Sequence, residues 1–301
     1  MDEGKLIGAV TVTYNSADVL PAFLRCMAGQ THRNFLLFAV DNASIDETLQ
    51  ILRECSDPRL RILANPDNCG FAAGSNQGIR DALAAGCTSI LLINNDTEFD
   101  SSMIAQLAQG LEEHGAWMAC PKMMYYDDPQ RIWAAGGAFQ PWLGYRSIHF
   151  GESEIDHGQF DRAKPVTFVP GCCVLINKAV FEKIGFLDER YFVYVEDADF
   201  MYRAMKASVR LMYIPEAKLL HKVGRLTGGK NSPFATQYGT RNRIFFLLKH
   251  FGLACTLPWI AVCQVYFFFQ FLFCRKGRSW LSLKQKALRS SLAMYRENST
   301  K

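Results

Sequence analysis

Apolar and polar positions alternate along the N-terminal half of the chain in short blocks. Leu6–Thr13 reads as a β-strand, and Asn15 and Ser16 stand where they can cap a helix running through Met27. Phe35–Val40 is a second strand that ends on Asp41-Asn42, and Ser44 is placed to cap a helix over Asp46–Glu54. A short third strand, Leu60–Leu63, leads into an Asn- and Gly-rich loop, Asn65–Ser75, and then a helix over Asn76–Ala85. Ser89–Ile93 is almost wholly apolar, which predicts a strand at the centre of a sheet. Strands and helices alternating at this spacing predict an α/β fold, a largely parallel sheet covered on both faces.

The pattern loosens from about Pro121 to Lys164, where Trp133, Trp142 and Tyr145 stand among charges; this stretch reads as an excursion facing substrate. Val166–Val169 and Val174–Ile176 resume strand character. Asn177 caps a helix to Ile184 that Gly185 ends, Asp197 or Asp199 opens a helix through Lys206, and Arg210–Ile214 is a late strand. In such sheets ligands gather beyond the carboxyl ends of the strands. Tyr14/Asn15, Asp41/Asn42 and Asn95/Asp96 all fall there, which predicts one shared site.

Length changes the picture little: 301 residues bury a full α/β core with room for an appendage. Charge changes it more. Residues 1–240 carry 22 Lys+Arg against 28 Asp+Glu, while residues 241–301 carry 11 against 1. An acidic body with a basic, apolar tail predicts attachment to an anionic membrane surface through residues 241–301 and disfavours a nucleic-acid partner, since the tail's middle is uncharged. The ten cysteines show no C-x-x-C pair or metal-type spacing, and most sit in apolar runs, as expected of buried thiols in a reducing compartment. No secretory leader precedes the first strand, so a cytoplasmic location is expected.

Candidate chemistry concentrates in two acidic clusters. Asp96 closes Asn94-Asn95-Asp96 after the apolar strand; it suits a hard divalent cation, Mg²⁺ or Mn²⁺, or else simply turns the chain. His221 precedes a basic, Gly-containing loop whose Lys222, Arg225 and Lys230 suit diphosphate contacts. Its pairing with Asp96 on a metal is favoured over a structural histidine. Glu196, Asp197 and Asp199 crowd three carboxylates into an aromatic run. Helix capping explains one of them, Asp199. Repulsion among the others raises a carboxyl pKa toward what a general base needs, so Asp197 is the candidate base and Glu196 its tuning partner. Asn68 and Gly70 lie in a loop that opens a helix, a place that favours anions.

With these residues in hand the chain resembles family 2 glycosyltransferases of the GT-A fold, on their rhamnosyltransferase-like branch. The matching pieces are V-T-V-T-Y-N (10–15), V-D-N-A-S-I-D (40–46), N-C-G-F-A-A-G-S-N-Q-G (68–78), L-I-N-N-D-T (92–97), V-P-G-C-C-V-L-I (169–176) and F-L-D-E-R-Y-F-V-Y-V-E-D-A-D-F (186–200), with His221 completing them. The resemblance implies an inverting hexosyltransferase using a divalent metal and a dTDP- or UDP-linked sugar. Thr13, Tyr14, Asp41 and Asn76 would hold base and ribose, with Asn15, Asn68, Gly70 and Asn95 lining the donor site. Asp96 would end the D-x-D equivalent, His221 would add a metal ligand and Asp197 would be the base. Asn94-Asn95 stand where many relatives carry Asp, leaving one carboxylate. A glycan or lipid-linked glycan acceptor follows, and a homodimer is compatible with it. Trp133, Trp142 and Tyr145 are candidates to stack on acceptor sugars, with core packing an equal alternative.

The expected division is a catalytic GT-A domain over 1–230 and a helical membrane-association region over 231–301. Phe251–Cys274 contains no charged side chain, and as a helix it would reach roughly 36 Å, enough to cross a bilayer. Basic residues flank both ends, and Gly252 and Pro258 interrupt it, so burial in the interface on the cytosolic face is preferred to a span. Trp280–Tyr295 then reads as an amphipathic surface helix, packing on protein being the alternative. Two rivals remain. A sugar-nucleotide nucleotidyltransferase would want a Gly-rich, Arg/Lys-bearing N-terminal loop, which Thr11–Ser16 lacks. A non-catalytic membrane-bound nucleotide-sugar-binding scaffold would have no need of Asp96, Asp197 and His221.

Overall fold

A computed structural model describes residues 5–224, 232–273 and 277–299. The N-terminal half alternates as the pattern requires: β1 (Ile7–Thr13), α1 (Leu20–Ala28), β2 (Phe35–Asp41), α2 (Thr48–Glu54), β3 (Leu60–Ala64), α3 (Gly70–Ala84) and β4 (Ser89–Ile93). There follow β5 (Thr97–Phe99), α4 (Met103–Glu113), β6 (Met118–Tyr125), β7 (Ile132–Ala134), β8 (Gly137–Gln140), β9 (Arg146–His149) and β10 (Lys164–Val166). The remainder is β11 (Cys173–Asn177), α5 (Lys178–Ile184), α6 (Glu196–Lys206), β12 (Leu211–His221), α7 (Pro233–Phe273) and α8 (Arg278–Ser299).

The main sheet runs β10-β12-β6-β11-β4-β1-β2-β3, with β5 added to β12 and β7 to β6. β4, β1, β2 and β3 are parallel neighbours, and β12 is parallel to β6. β11 enters antiparallel between β4 and β6, and β10 is antiparallel to β12, so the sheet is mixed where the strand–helix spacing predicts a nearly parallel one. β4 is buried along its whole length at the centre, as its apolar run requires. The parallel register puts Thr13 opposite Asp41, so the polar strand ends are brought level.

Several element boundaries differ from the sequence reading. α1 begins at Leu20 after Val19 and α2 at Thr48 after Glu47, so neither Asn15/Ser16 nor Ser44 caps a helix, and the late strand runs on from Leu211 to His221. α3 starts at Gly70, not Asn76, because its small residues face the sheet: a Cβ on Gly78 would meet Val10 Cγ1 at 2.5 Å. The stretch read as irregular from Pro121 begins inside β6, a buried strand whose Lys122 pairs with Asp156 (2.7 Å) and Asp161 (2.5 Å). The strand expected over Val166–Val169 is Lys164–Val166, with Phe168 making only an isolated bridge to Gly137. Cys87, Cys172 and Cys173 are buried as expected, whereas Cys26 and Cys263 are half-buried and Cys255 is exposed.

The C-terminal helices are tied to the body. Phe245, Phe246 and Leu247 of α7 belong to the same apolar core as the sheet. At Gly252 (φ 74°, ψ 173°) the helix is interrupted, and beyond it Leu257, Val265, Phe268, Phe269 and Phe273 are exposed. α8 folds back along α7: Leu288 packs with Ile244 and Leu248, and Gln264 and Gln285 exchange amide hydrogen bonds. The apolar side of α8 is therefore engaged by protein, and the exposed apolar surface is the far half of α7 rather than the amphipathic face expected over Trp280–Tyr295.

Candidate active site

β4 ends at Ile93, and the chain turns through Asn94-Asn95-Asp96 into β5, which lies antiparallel to the end of β12 with Thr97 opposite His221. That register sets His221 Nε2 3.3 Å from Asp96 Oδ1, both residues nearly enclosed. The Lys222 N–H donates to the Asp96 carbonyl oxygen (2.9 Å), and Asn95 Nδ2 donates to the Val12 carbonyl oxygen (2.7 Å). Asn95 Oδ1 and His221 Nδ1 are buried without a hydrogen-bond partner, and Asp96 Oδ1 has only the His221 ring near it. Leaving such groups unsatisfied costs about 1–3 kcal/mol each. A carboxylate oxygen, an amide oxygen and an imidazole suit a hard divalent cation, so the residues fit the metal that the sequence implies. Among the described residues no group of three or more His, Cys, Asp or Glu is placed to hold a metal ion, so Asp96 and His221 would be its protein ligands with Asn95 beside them.

The second carboxylate site opens α6. The Gly171 N–H donates to Asp197 Oδ2 (3.0 Å) and the Ala198 N–H to Oδ1 (2.7 Å). Next to Gly171, the Cys172 carbonyl accepts from the Asn94 N–H at 2.8 Å. Two consecutive residues of the loop before β11 thus touch the Asp197 side chain on one side and the Asn94–Asp96 turn on the other. Burial, then repulsion from Asp197, drives the Glu196 carboxyl well above the ordinary range, and its Oε2 is buried without a partner. Burial also raises Asp197, but less, since the N–H groups of Gly171 and Ala198 and the charge of His149 oppose it. Asp197, which accepts two N–H groups, is thus the better stabilised of the two as a carboxylate, and Glu196 is pushed further toward its neutral form.

His149, at the end of β9, joins the two sites and was not singled out from sequence. Its ring stands edge-on to Trp133 (5.1 Å), and Trp133 stands edge-on to His221 (4.3 Å). Contacts therefore run from Asp96 through His221 and Trp133 to His149, whose charge acts on Asp197. The alternation of Arg146–His149 marks a strand, but only the fold brings its last residue near enough to influence Asp197.

The donor residues expected at the strand ends do gather. Thr13 Oγ1 donates to Asp41 Oδ1 (2.9 Å), Ser44 donates to Asp41 through both its N–H and its hydroxyl, and Asn15 Oδ1 accepts from the Ile45 N–H (2.9 Å). Tyr14 is exposed beside them, and so is Asn68, whose Oδ1 accepts from the Gly70 N–H (2.9 Å). Gly70 has φ +86°, and a Cβ there would lie 2.7 Å from the Phe192 carbonyl oxygen.

Other expected contacts are employed within the protein. Asn76 is buried and brackets the chain before α6: its Nδ2 donates to the Leu187 carbonyl and Glu189 Oε1, and its Oδ1 accepts from the Leu187 N–H. Lys222 is buried against Glu98 (2.6 Å) and the Tyr126 ring rather than free for a diphosphate. Trp133 is buried between the two histidines, and half-buried Tyr145 stacks on Phe251 of α7 (5.1 Å); Trp142 is exposed. Asp199 does not cap α6; it is enclosed by Tyr191, Arg203, Lys249 and His250. Arg225 and Lys230 lie outside the described residues.

Residues 9–185 match the family described as "Glycosyl transferase family 2". The chain belongs to glycosyl transferase family 2. Among curated proteins, this family 2 chain is 26% identical over 273 residues to an N-acetylglucosaminyl-diphospho-decaprenol L-rhamnosyltransferase of Mycobacterium tuberculosis, covering 82% of this chain and 86% of that one. It is 25% identical over 252 residues to a dTDP-rhamnosyl transferase RfbF of Shigella flexneri, covering 81% and 80%. Solved structures share its fold: S. aureus TarS 1-349 in complex with UDP-GlcNAc (TM-score 0.57, 17% identity, 81% of this chain and 66% of that one). GalNAc-T7 with UDP, GalNAc and Mn²⁺ is another (TM-score 0.63, 14% identity, 83% and 48%). The chain thus spans about two thirds of the first and half of the second. It is a rhamnosyltransferase-like family 2 glycosyltransferase with a GT-A fold and a long apolar C-terminal helix.

Proposed function

We propose that this glycosyltransferase is inverting and metal-dependent, and that it moves a sugar, with rhamnose the leading candidate, from a dTDP- or UDP-linked donor to a hydroxyl of a lipid-linked glycan in cell-surface polysaccharide assembly. The observation that carries the reading is the contact of one loop, Gly171-Cys172, with both carboxylate sites, which sets the acid pair beside the Asp96–His221 pair. The rhamnosyltransferase names of two relatives support the sugar, and one of those names supports the lipid-linked acceptor.

Asp41 and the turn residues that converge on it provide the donor's nucleotide with a polar cradle at the ends of β1 and β2. Asp96 and His221 would hold Mg²⁺ or Mn²⁺, which when bound supplies Lewis-acid stabilisation of the departing diphosphate. Asp197, kept charged by two N–H donors yet raised by burial, takes the proton of the acceptor hydroxyl as that oxygen bonds to the anomeric carbon. The bond from that carbon to the diphosphate breaks, and its electron pair leaves with the nucleotide. Glu196 holds its proton and so leaves Asp197 as the charged member of the pair. Alignment of two substrates in one site contributes a further large share of the acceleration.

The exposed apolar half of α7, joined to a tail with 11 basic and 1 acidic residue over 241–301, supports peripheral attachment to the cytosolic face of an anionic membrane. The test is a panel of nucleotide sugars with a polyprenyl-diphosphate-linked acceptor, with and without divalent ion, read by nucleoside diphosphate release. One donor is expected to stand out and to require the ion. Asp197→Asn is expected to lose kcat by roughly 10²-fold or more while retaining nucleotide binding. Near-normal turnover in that variant would remove Asp197 as the base.

A further inference from the structure

The segment that launches the acid pair has an unusual backbone. Phe192 (φ 65°, ψ −63°), Tyr194 (φ 67°) and Val195 (φ 72°) all adopt positive φ, which for a β-branched residue such as Val195 is a true outlier. Phe192 is the centre of a γ-turn of the rarer, strained hand, closed by the Val193 N–H on the Tyr191 carbonyl at 2.8 Å. Such a backbone persists only where its surroundings over-determine it.

Those surroundings are two. On one side, the Phe192 carbonyl accepts from the N–H groups of Phe71 (2.7 Å) and Ala72 (3.3 Å), which the first turn of α3 leaves unpaired. On the other side stands α7. Asn242, fully buried, directs its amide NH₂ at the carbonyls of Tyr191 (2.8 Å), Val193 (2.7 Å) and Tyr194 (2.7 Å). Arg241 donates to Asn242 Oδ1 (2.7 Å), which fixes the orientation of that amide, and also to the Tyr191 carbonyl. Two helical turns further on, on the same face of α7, Lys249 (2.6 Å) and His250 (2.8 Å) reach Asp199, two residues beyond Asp197. The first turn of α6 is therefore gripped before and after its catalytic carboxylates by one C-terminal helix.

We infer that Asn242, with Lys249 of the same helix, is a positioning residue for the Glu196–Asp197 pair, so that the C-terminal helix is a working part of the catalytic centre as well as an anchor. This rests on the reading of Asp197 as the base. Neither residue needs to touch substrate. Asn242 holds three carbonyls of a strained loop whose relaxation would swing Asp197 away from the Gly171 N–H, and a displacement of about 1 Å at a reacting group costs on the order of 10²-fold in rate.

The test is steady-state kinetics of the full chain carrying Asn242→Ala, together with nucleoside diphosphate affinity by calorimetry and hydrogen exchange at the amides of 193–198. The expected result is a kcat lowered by roughly 10- to 100-fold, with donor KM and nucleotide affinity within about twofold of the parent and faster exchange confined to that segment. Asn242→Gln, which keeps the donor group, is expected to recover part of the loss. An unchanged kcat, or a loss matched by an equal fall in nucleotide affinity, would overturn the inference. If Asn242→Ala does not fold, the same split is read in Lys249→Gln, where an unchanged kcat overturns it equally. A parent enzyme silent on every donor would instead defeat the proposed function itself.

Discussion

Asp199 offers the sharpest test of how the C-terminal helix is held. Its side chain is fully enclosed and accepts from Tyr191 Oη (3.2 Å), Arg203 Nε (2.9 Å), Lys249 Nζ (2.6 Å) and His250 Nε2 (2.8 Å). Asp199→Asn preserves shape but removes the charge and points an NH₂ at groups that themselves donate. Breaking one partner out of a buried ionic network costs about 3–5 kcal/mol. Here Lys249 keeps Asp188 (2.8 Å) and Arg203 keeps the carbonyls of Ile184 and Phe186, so the loss falls near the lower end, about 3 kcal/mol. For a chain of 301 residues, at about 2.1 cal/mol/K of unfolding entropy per residue, that lowers Tm by roughly 5 °C. Burial alone would raise the Asp199 carboxyl; the His250 hydrogen bond and the charges of Lys249 and Arg203 outweigh it and hold it far below the usual carboxylate range. A depressed folded-state pKa contributes stability that is complete above the unfolded value, about 3.9, and is lost as pH falls through the lower folded value. The gap between parent and variant is therefore expected to be full from pH 5 to 8 and to narrow below about pH 4. Calorimetric melts across that range measure it. A variant melting within about 2 °C of the parent at pH 7, or a gap that ignores pH, would refute the network as the fastening of α7.

Glu196 has the opposite sign. Its folded-state pKa is raised, so the folded state holds a proton that the unfolded chain releases above about 4.3, and stability falls as pH climbs between the two values. Glu196→Gln cannot ionise, and its Tm relative to the parent is expected to rise as pH climbs above about 5; a flat difference in melting series would count against the buried acid. On the tail, Val265→Asp with Phe269→Asp places two charges on the exposed apolar side of α7. Each buried apolar side chain contributes about 1.5–3 kcal/mol, so flotation with anionic liposomes should fall by roughly 100-fold or more. Undiminished binding would move the membrane contact elsewhere.

What could be read from the chain in advance follows from where each feature's partners lie. β1, β2 and β4 were legible because their apolar patterns are decided within a few residues, and their polar ends then located Asp41 and Asp96. β6 was not, because Lys122 and Pro121 interrupt its apolar run. The charge is neutralised by Asp156 and Asp161, 34 and 39 residues away in the chain. α3 was begun six residues late since Gly70 and Gly74 read as loop residues, although each is small for a reason of packing: Cβ atoms there would meet Phe192 at 2.5 Å and Val12 at 3.2 Å. For Trp133 and Tyr145 residue type alone does not decide between a sugar platform and core packing, and only the fold shows both rings packed against other aromatic side chains.

The acid pair was legible for the converse reason. Three carboxylates in an aromatic run violate local chemistry, and such violations survive where a function or a distant partner sustains them. Here a distant partner accounts for Asp199, and the proposed function accounts for its two neighbours on the same helical turn. Asp199 is sustained by the cations of α7, whereas Glu196 and Asp197 gain almost nothing from counter-charges and sit raised by burial. A helix turn carrying two poorly compensated acids behind a run of positive-φ residues would relax by letting the acids swing toward water. Asn242 opposes that movement through carbonyls 48 to 51 residues earlier in the chain, a bond type that leaves no trace in local pattern. The fully compensated Asp199 thus anchors the turn that carries the uncompensated pair, and undocking α7 would release both fastenings of that segment, Asn242 before it and Lys249 with His250 after it.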